Sequence, residues 1–203
     1  MVVDVAPLIE RVSVMPWLKA LTEFGDLGVL MPLATVMLIW LLLIHSPRGM
    51  AWWTIAVVFC TGLTAVFKVF FYTCPPTPDL HSPSGHTSFS TLVYGAMTLV
   101  TARQTRGLQR IVAIIVGACF VLAIAASRLL LAHNASEVGL GLAIGIAALI
   151  LFGQGYWRHS KMQIWLSPLF AAGGAVLLVL HGRELDAEQL LGGIARYLQI
   201  DCP

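Results

Sequence analysis

Six stretches without a charged residue limit this chain more than any other feature. They run over 27–44, 49–67, 87–102, 111–127, 138–157 and 162–180, each about 16 to 20 residues long. A helix needs roughly 20 apolar residues to cross the hydrocarbon core of a bilayer, with a range of about 17–25. Backbone polar groups find no water there, so a crossing segment satisfies them internally. Six buried helices of a soluble protein would carry charged stripes facing water, and these runs carry none. Charged residues make up 11% of the 203, against about a quarter in soluble domains. The pattern predicts an all-α, six-transmembrane-helix bundle in a lipid bilayer. The 87–102 run reaches spanning length if His86 and its neighbours sit at the interface.

Three parts follow. Residues 26–182 form the six-span domain. In 1–25, Leu8, Val12, Met15, Leu18 and Leu21 recur at helical spacing with charges between them. This predicts an N-terminal interfacial amphipathic helix or a segment packed against the bundle ends, with Pro16 kinking or starting it. The tail 183–203 is also amphipathic: Leu190, Leu191, Ile194 and Leu198 alternate with Glu188 and Arg196. No signal-peptide pattern opens the chain, so the first span is expected to direct its own insertion.

Lys and Arg in short loops set orientation. The loops 45–50, 103–110 and 157–163 carry Arg48, then Arg103, Arg106 and Arg110, then Arg158 and Lys161. With six spans all three lie on one side, expected to be cytoplasmic. The termini and the loops between spans two and three and between spans four and five then face outward. A net charge of +2 without a basic tract gives no footprint for nucleic acid. Four cysteines form no metal pattern. Cys60 and Cys119 read as packing residues within spans. Cys74 and Cys202 fall on the outward side, where a disulfide between them is possible.

Two polar islands interrupt the apolar sequence. The first is Pro83-Ser84-Gly85-His86, where the third span begins. A helix start gathers free N–H groups and the positive dipole end, which suits an anion. Gly85 permits close backbone approach, and His86 can donate a proton near neutral pH. The plainer reading is a helix cap by Ser84. The second island is Ser127-Arg128, with His133 and Glu137 following. Guanidinium matches phosphate in a bidentate fork. If the fifth helix extends back to His133, Glu137 shares its face, and a carboxylate on one ring nitrogen makes the other a better nucleophile. The plainer reading is snorkelling of Arg128 and His133 to headgroups. Lys68, near the end of the second span, is a snorkelling anchor or a third phosphate ligand.

These residues together resemble the type 2 phosphatidic acid phosphatase superfamily, whose motifs are Lys-x6-Arg-Pro, Pro-Ser-Gly-His and Ser-Arg-x5-His-x3-Asp. The second is intact here. The first is present as Lys68, with Pro75 and Pro76 where Arg-Pro would fall. The third reads Ser127-Arg128-x4-His133-x3-Glu137. The resemblance covers roughly 60–145 and agrees with six spans. It implies a metal-independent phosphatase without a cofactor. His133 would form a phosphohistidine, oriented by Glu137 in place of aspartate. His86 would protonate the leaving oxygen. Lys68, Arg128, Ser84 and the Gly85 backbone would hold the phosphoryl group.

The departures carry their own expectations. His81 is the other candidate cation between Lys68 and Pro83, expected to replace part of the missing arginine; alternatively Arg128 and Lys68 suffice, at a cost in rate. One deleted residue rotates later helical positions by about 100°, so 129–134 is expected to be a loop, with Ser136 as the next N-cap. Gly139, Gly141 and Gly145 are assigned to close helix packing. The expected substrate is a phosphomonoester or pyrophosphate of a membrane lipid: undecaprenyl pyrophosphate, phosphatidylglycerol phosphate, phosphatidic acid or a lipid A phosphate. The expected location is a bacterial inner membrane, with the site facing the periplasm. The alternatives are a phosphotransferase using the same histidine and a non-catalytic phospholipid-binding or transport protein.

Overall fold

The computed structural model describes residues 16–44, 46–74, 82–159 and 165–182, and their regular structure is all helical. The helices are α1 (Pro16–Glu23), α2 (Leu27–Leu43), α3 (Pro47–Thr73), α4 (Gly85–Gln104), α5 (Gly107–Leu131), α6 (Ala135–His159) and α7 (Ser167–Leu180). The segments Pro16–Leu43, Pro47–Tyr72, Gly107–Leu131 and Ala135–Trp157 are each long and apolar enough to cross a bilayer. Val58, Val66, Val116 and Leu178 lie exposed on the outside of these helices and of α7. Water penalises such surface and hydrocarbon does not. The chain is a membrane protein.

The more polar α4 lies inside the bundle, touching α2, α3, α5 and α6. Its hydroxyls are satisfied within the protein. Thr91 Oγ1 donates to Thr87 O at 2.6 Å and Ser90 Oγ to the same oxygen at 3.3 Å. Ser88 Oγ donates to Gly85 O at 3.1 Å and lies 3.0 Å from Thr64 Oγ1 of α3. A helix enclosed by other helices needs no apolar face toward lipid, which explains the hydroxyls in 87–102.

Two glycines of α6 let it press against α4. A Cβ on Gly141 would stand 2.6 Å from Ser84 O, and one on Gly145 2.5 Å from Ser88 O. Gly139 differs from the expectation, because a Cβ there would meet nothing within 4 Å. Gly145→Ala is therefore expected to destabilise the bundle by about 1–3 kcal/mol through overpacking. Gly139→Ala is expected to leave thermal unfolding in detergent unchanged or slightly raised. Equal midpoints for the two variants would contradict this packing.

The short helix α1 starts at Pro16, a residue suited to a first helical position. Of the two readings of the N-terminal segment, residues 16–23 take the packed one. Leu18 is buried, Ser127 Oγ donates to Thr22 Oγ1 at 3.1 Å, and His181 Nε2 donates to Ala20 O at 3.1 Å. Residues 1–15 and the tail 183–203 lie outside the described residues. At the opposite end of the bundle, Arg103 stacks over Trp157 at 5.0 Å, and Arg110 Nε donates to Ala102 O at 2.8 Å.

Two local expectations are corrected. Helix α5 continues through 129–131, so the break before His133 is confined to 132–134. Ala132 N and His133 N both return to Arg128 O, at 3.0 and 2.9 Å, and this tight reversal absorbs the missing residue. The cap of α6 is Asn134 rather than Ser136: Asn134 Oδ1 accepts from Glu137 N at 3.0 Å. Asparagine caps at least as well as serine, and only from position 134 does a glutamate fall three residues on, completing a reciprocal capping box.

Candidate active site

The end of α3, the C-terminus of α5 and the starts of α2, α4 and α6 meet at one end of the bundle. Residues 82–84 run extended into α4, and Ser84 is its N-cap. Ser84 Oγ accepts from Thr87 N at 3.4 Å and from Thr87 Oγ1 at 2.9 Å. The side chain is wholly buried, and its oxygen is engaged in the cap. The N–H groups of Gly85 and His86 belong to the first turn and point out of the helix start. A Cβ on Gly85 would meet Lys68 Cε at 3.7 Å and Thr64 Cγ2 at 3.9 Å, ordinary contact distances. Packing alone therefore does not demand glycine here.

That same proximity places the end of Lys68 beside the start of α4. Lys68 is 3% exposed, which a side chain snorkelling to lipid headgroups would not be. A buried ammonium is retained where it has an anionic or polar partner.

Glu137 joins the two polar islands. Its Oε2 lies 2.7 Å from His133 Nδ1 and accepts from Asn134 N at 3.4 Å. Its Oε1 accepts from Ser82 N at 3.1 Å, and its backbone oxygen accepts from Ser84 N at 3.1 Å. One residue thus holds the histidine, caps its own helix and fastens the strand leading into α4. His133 precedes α6, so the pair does not form on a continuous helix face. The capping box draws Glu137 back toward the loop instead. Both side chains are largely buried, as are Arg128 Nε and His133 Nε2. In the neutral ring, a carboxylate at Nδ1 accepts its proton and leaves the lone pair on Nε2.

His86 faces a carboxylate from another direction. Its Nε2 lies 3.4 Å from Asp26 Oδ2. Sequence reasoning missed Asp26. Its position just before the first apolar run signals an N-cap, and its Oδ1 does accept from Gly28 N at 2.7 Å. Nothing in the sequence connects it to a histidine sixty positions on. Ser82 was missed for the same reason, since its partner is 55 positions away, whereas Asn134 was signalled by the glutamate three residues on. His81 lies outside the described residues. Cys74 is disulfide-bonded, whereas Cys60 and Cys119 are free; the expected partner, Cys202, lies outside the described residues. No cluster of three or more metal-ligating side chains occurs among the described residues.

A helical membrane bundle thus presents Pro-Ser-Gly-His at one helix start, against a His–carboxylate pair at the next hairpin. The chain belongs to the PAP2 superfamily, whose profile matches residues 69–161. It is 31% identical over 194 residues to an "uncharacterized 22.5 kDa protein in cps region" of Klebsiella pneumoniae, covering 89% of this chain and 90% of that one. No solved structure matches it. Membership suggests a phosphatase-type function on lipid.

Proposed function

We propose that this protein hydrolyses a phosphomonoester or pyrophosphate of a membrane lipid through a phosphohistidine at His133. The observation that carries this reading is the 2.7 Å contact between His133 Nδ1 and Glu137 Oε2, made beside the first turn of α4. His133 Nε2 attacks phosphorus, and the bond to the leaving oxygen breaks. His86 gives that oxygen a proton. Water then attacks the phosphohistidine, passes a proton back to His86 and releases phosphate. Lys68, Arg128, the N–H groups of Gly85 and His86, and the Ser84 hydroxyl hold the phosphoryl oxygens and stabilise the charge that develops on them. His81 supplies part of the positive charge of the missing arginine. The roles require no metal.

In this reading α2–α7 are six spans. Enclosure of α4 by its neighbours supports counting it despite its hydroxyls. The basic loops face the cytoplasm and the site faces the periplasm of a bacterial inner membrane. The disulfide at Cys74, at the site end of α3, supports an oxidising compartment on that side. The partner is then Cys202. Alkylation without reductant is expected to leave both cysteines unmodified, and labelling of Cys202 would rule the pairing out.

The test is phosphate release by purified protein from undecaprenyl pyrophosphate, phosphatidylglycerol phosphate, phosphatidic acid and lipid A. Release from at least one class, unchanged by a chelator, is expected. Transfer of phosphate to a second lipid in place of release would mark a phosphotransferase. Lipid binding without either would mark a binding or transport protein.

A further inference from the structure

We propose that Asp26 is the positioning residue for His86, so that the first transmembrane hairpin completes the proton-donating half of the site. The proposal rests on the phosphatase reading above and deepens it. Asp26 is 6% exposed, so its carboxylate is not a solvated surface charge. A buried carboxylate is retained only where partners stabilise it. One such partner is the start of α2, where Oδ1 accepts from Gly28 N at 2.7 Å and the helix dipole favours negative charge. That bond also sets the direction of Oδ2, which lies 3.4 Å from His86 Nε2.

The turn carrying Asp26 is fastened independently of His86. Gly25 N donates to Thr22 O at 2.9 Å and Asp26 N to Glu23 O at 3.1 Å. Tyr94 Oη, on α4 itself, donates to Phe24 O at 2.8 Å. A Cβ on Gly25 would lie 2.9 Å from Ile124 Cγ2 and 3.4 Å from His86 Cβ. The absence of a side chain there is what lets the turn close over the histidine. The His86 side chain remains 20% exposed, so one edge of the ring stays open.

The arrangement assigns the two ring nitrogens. Nε2 keeps its proton against Asp26 throughout. Nδ1 is then the atom that gives a proton to the leaving oxygen, and it takes one back from the attacking water in the second step. Glu137 does the converse for His133, holding Nδ1 and leaving Nε2. Two carboxylates thus hold two histidines in opposite senses, one through the helix cap of α2 and one through the capping box of α6.

Asp26→Asn separates position from fold, because asparagine keeps the helix cap. General acids contribute typically 10²–10⁴-fold, and they matter least for leaving groups that depart without a proton. Full-length Asp26→Asn protein in nanodiscs is expected to lose about 10- to 100-fold in kcat on a lipid alkyl phosphate. On an aryl phosphate with an acidic phenol, the expected loss is under about threefold. KM should change little, and Asp26→Glu should restore part of the alkyl rate. At alkaline pH, where the ring is neutral, histidine ¹⁵N NMR should show His86 as the Nε2–H tautomer in the wild type, shifting toward a mixture in Asp26→Asn. Equal losses on both substrates, or an unchanged His86 spectrum, overturn the proposal while leaving the phosphatase reading intact. Wild-type protein that releases phosphate from neither substrate overturns both.

Discussion

His133→Ala is expected to reduce phosphate release by about 10³-fold or more, the scale on which removing a catalytic nucleophile acts. The physical basis is the division of labour on the imidazole ring. Glu137 Oε2 holds Nδ1 at 2.7 Å, which leaves the Nε2 lone pair for phosphorus. The substitution should leave the fold intact, since the backbone N–H of residue 133 still bonds Arg128 O. Glu137 also keeps its bonds to Asn134 N and Ser82 N. Rapid quenching with ³²P-labelled lipid should trap an acid-labile, alkali-stable phosphoprotein in the wild type and none in His133→Ala. A variant that retains the wild-type rate, or the same phosphoprotein, would remove His133 from the mechanism.

Glu137→Gln is expected to lose about 10³–10⁴-fold in kcat, with little change in folded state, by imposing the wrong tautomer. Both groups facing Oε2, His133 Nδ1–H and Asn134 N–H, are donors. A glutamine can satisfy Ser82 N–H through its oxygen, but its amide then presents hydrogens to His133. The ring responds by moving its proton to Nε2, which removes the nucleophile. Glu137→Ala adds a structural loss, because it deprives the buried Ser82 N–H and the part-buried Asn134 N–H of a charged acceptor, each bond worth about 1.5–3 kcal/mol. Glu137→Asp withdraws the carboxylate by one methylene and cannot reach Ser82 and His133 together. The order of rates is therefore wild type, then Asp, then Gln, with only Ala lowering the unfolding midpoint strongly. Full activity in Glu137→Gln would show that the carboxylate serves the helix cap alone.

Much of the fold was legible from runs of uncharged residues, because the bilayer demands them. The six runs correspond to α2–α7. The exception in character is α4, whose hydroxyls made 87–102 look marginal. Its polarity is explained by neighbours on every side, and no local pattern carries that information. The candidate site residues came from the motifs, and their local geometry was misread. The deletion in the third motif was expected to melt 129–134, yet the chain reverses within 132–134 by sharing Arg128 O. The cap was assigned to Ser136, whereas the glutamate three residues beyond Asn134 decides for Asn134.

By itself the sequence determined a helical membrane chain and offered the candidates for its reactive groups. Both follow from local chemistry: uncharged length for a span, and side chains able to attack, donate protons or bind anions. Only the tertiary structure shows which ring nitrogen of each histidine faces a carboxylate. That depends on where a carboxylate arrives, and Asp26 comes to His86 from the start of α2. Glu137 comes to His133 through a capping box while also gripping Ser82 from 55 positions away. Contacts of that range are products of helix packing, which no spacing along the chain encodes.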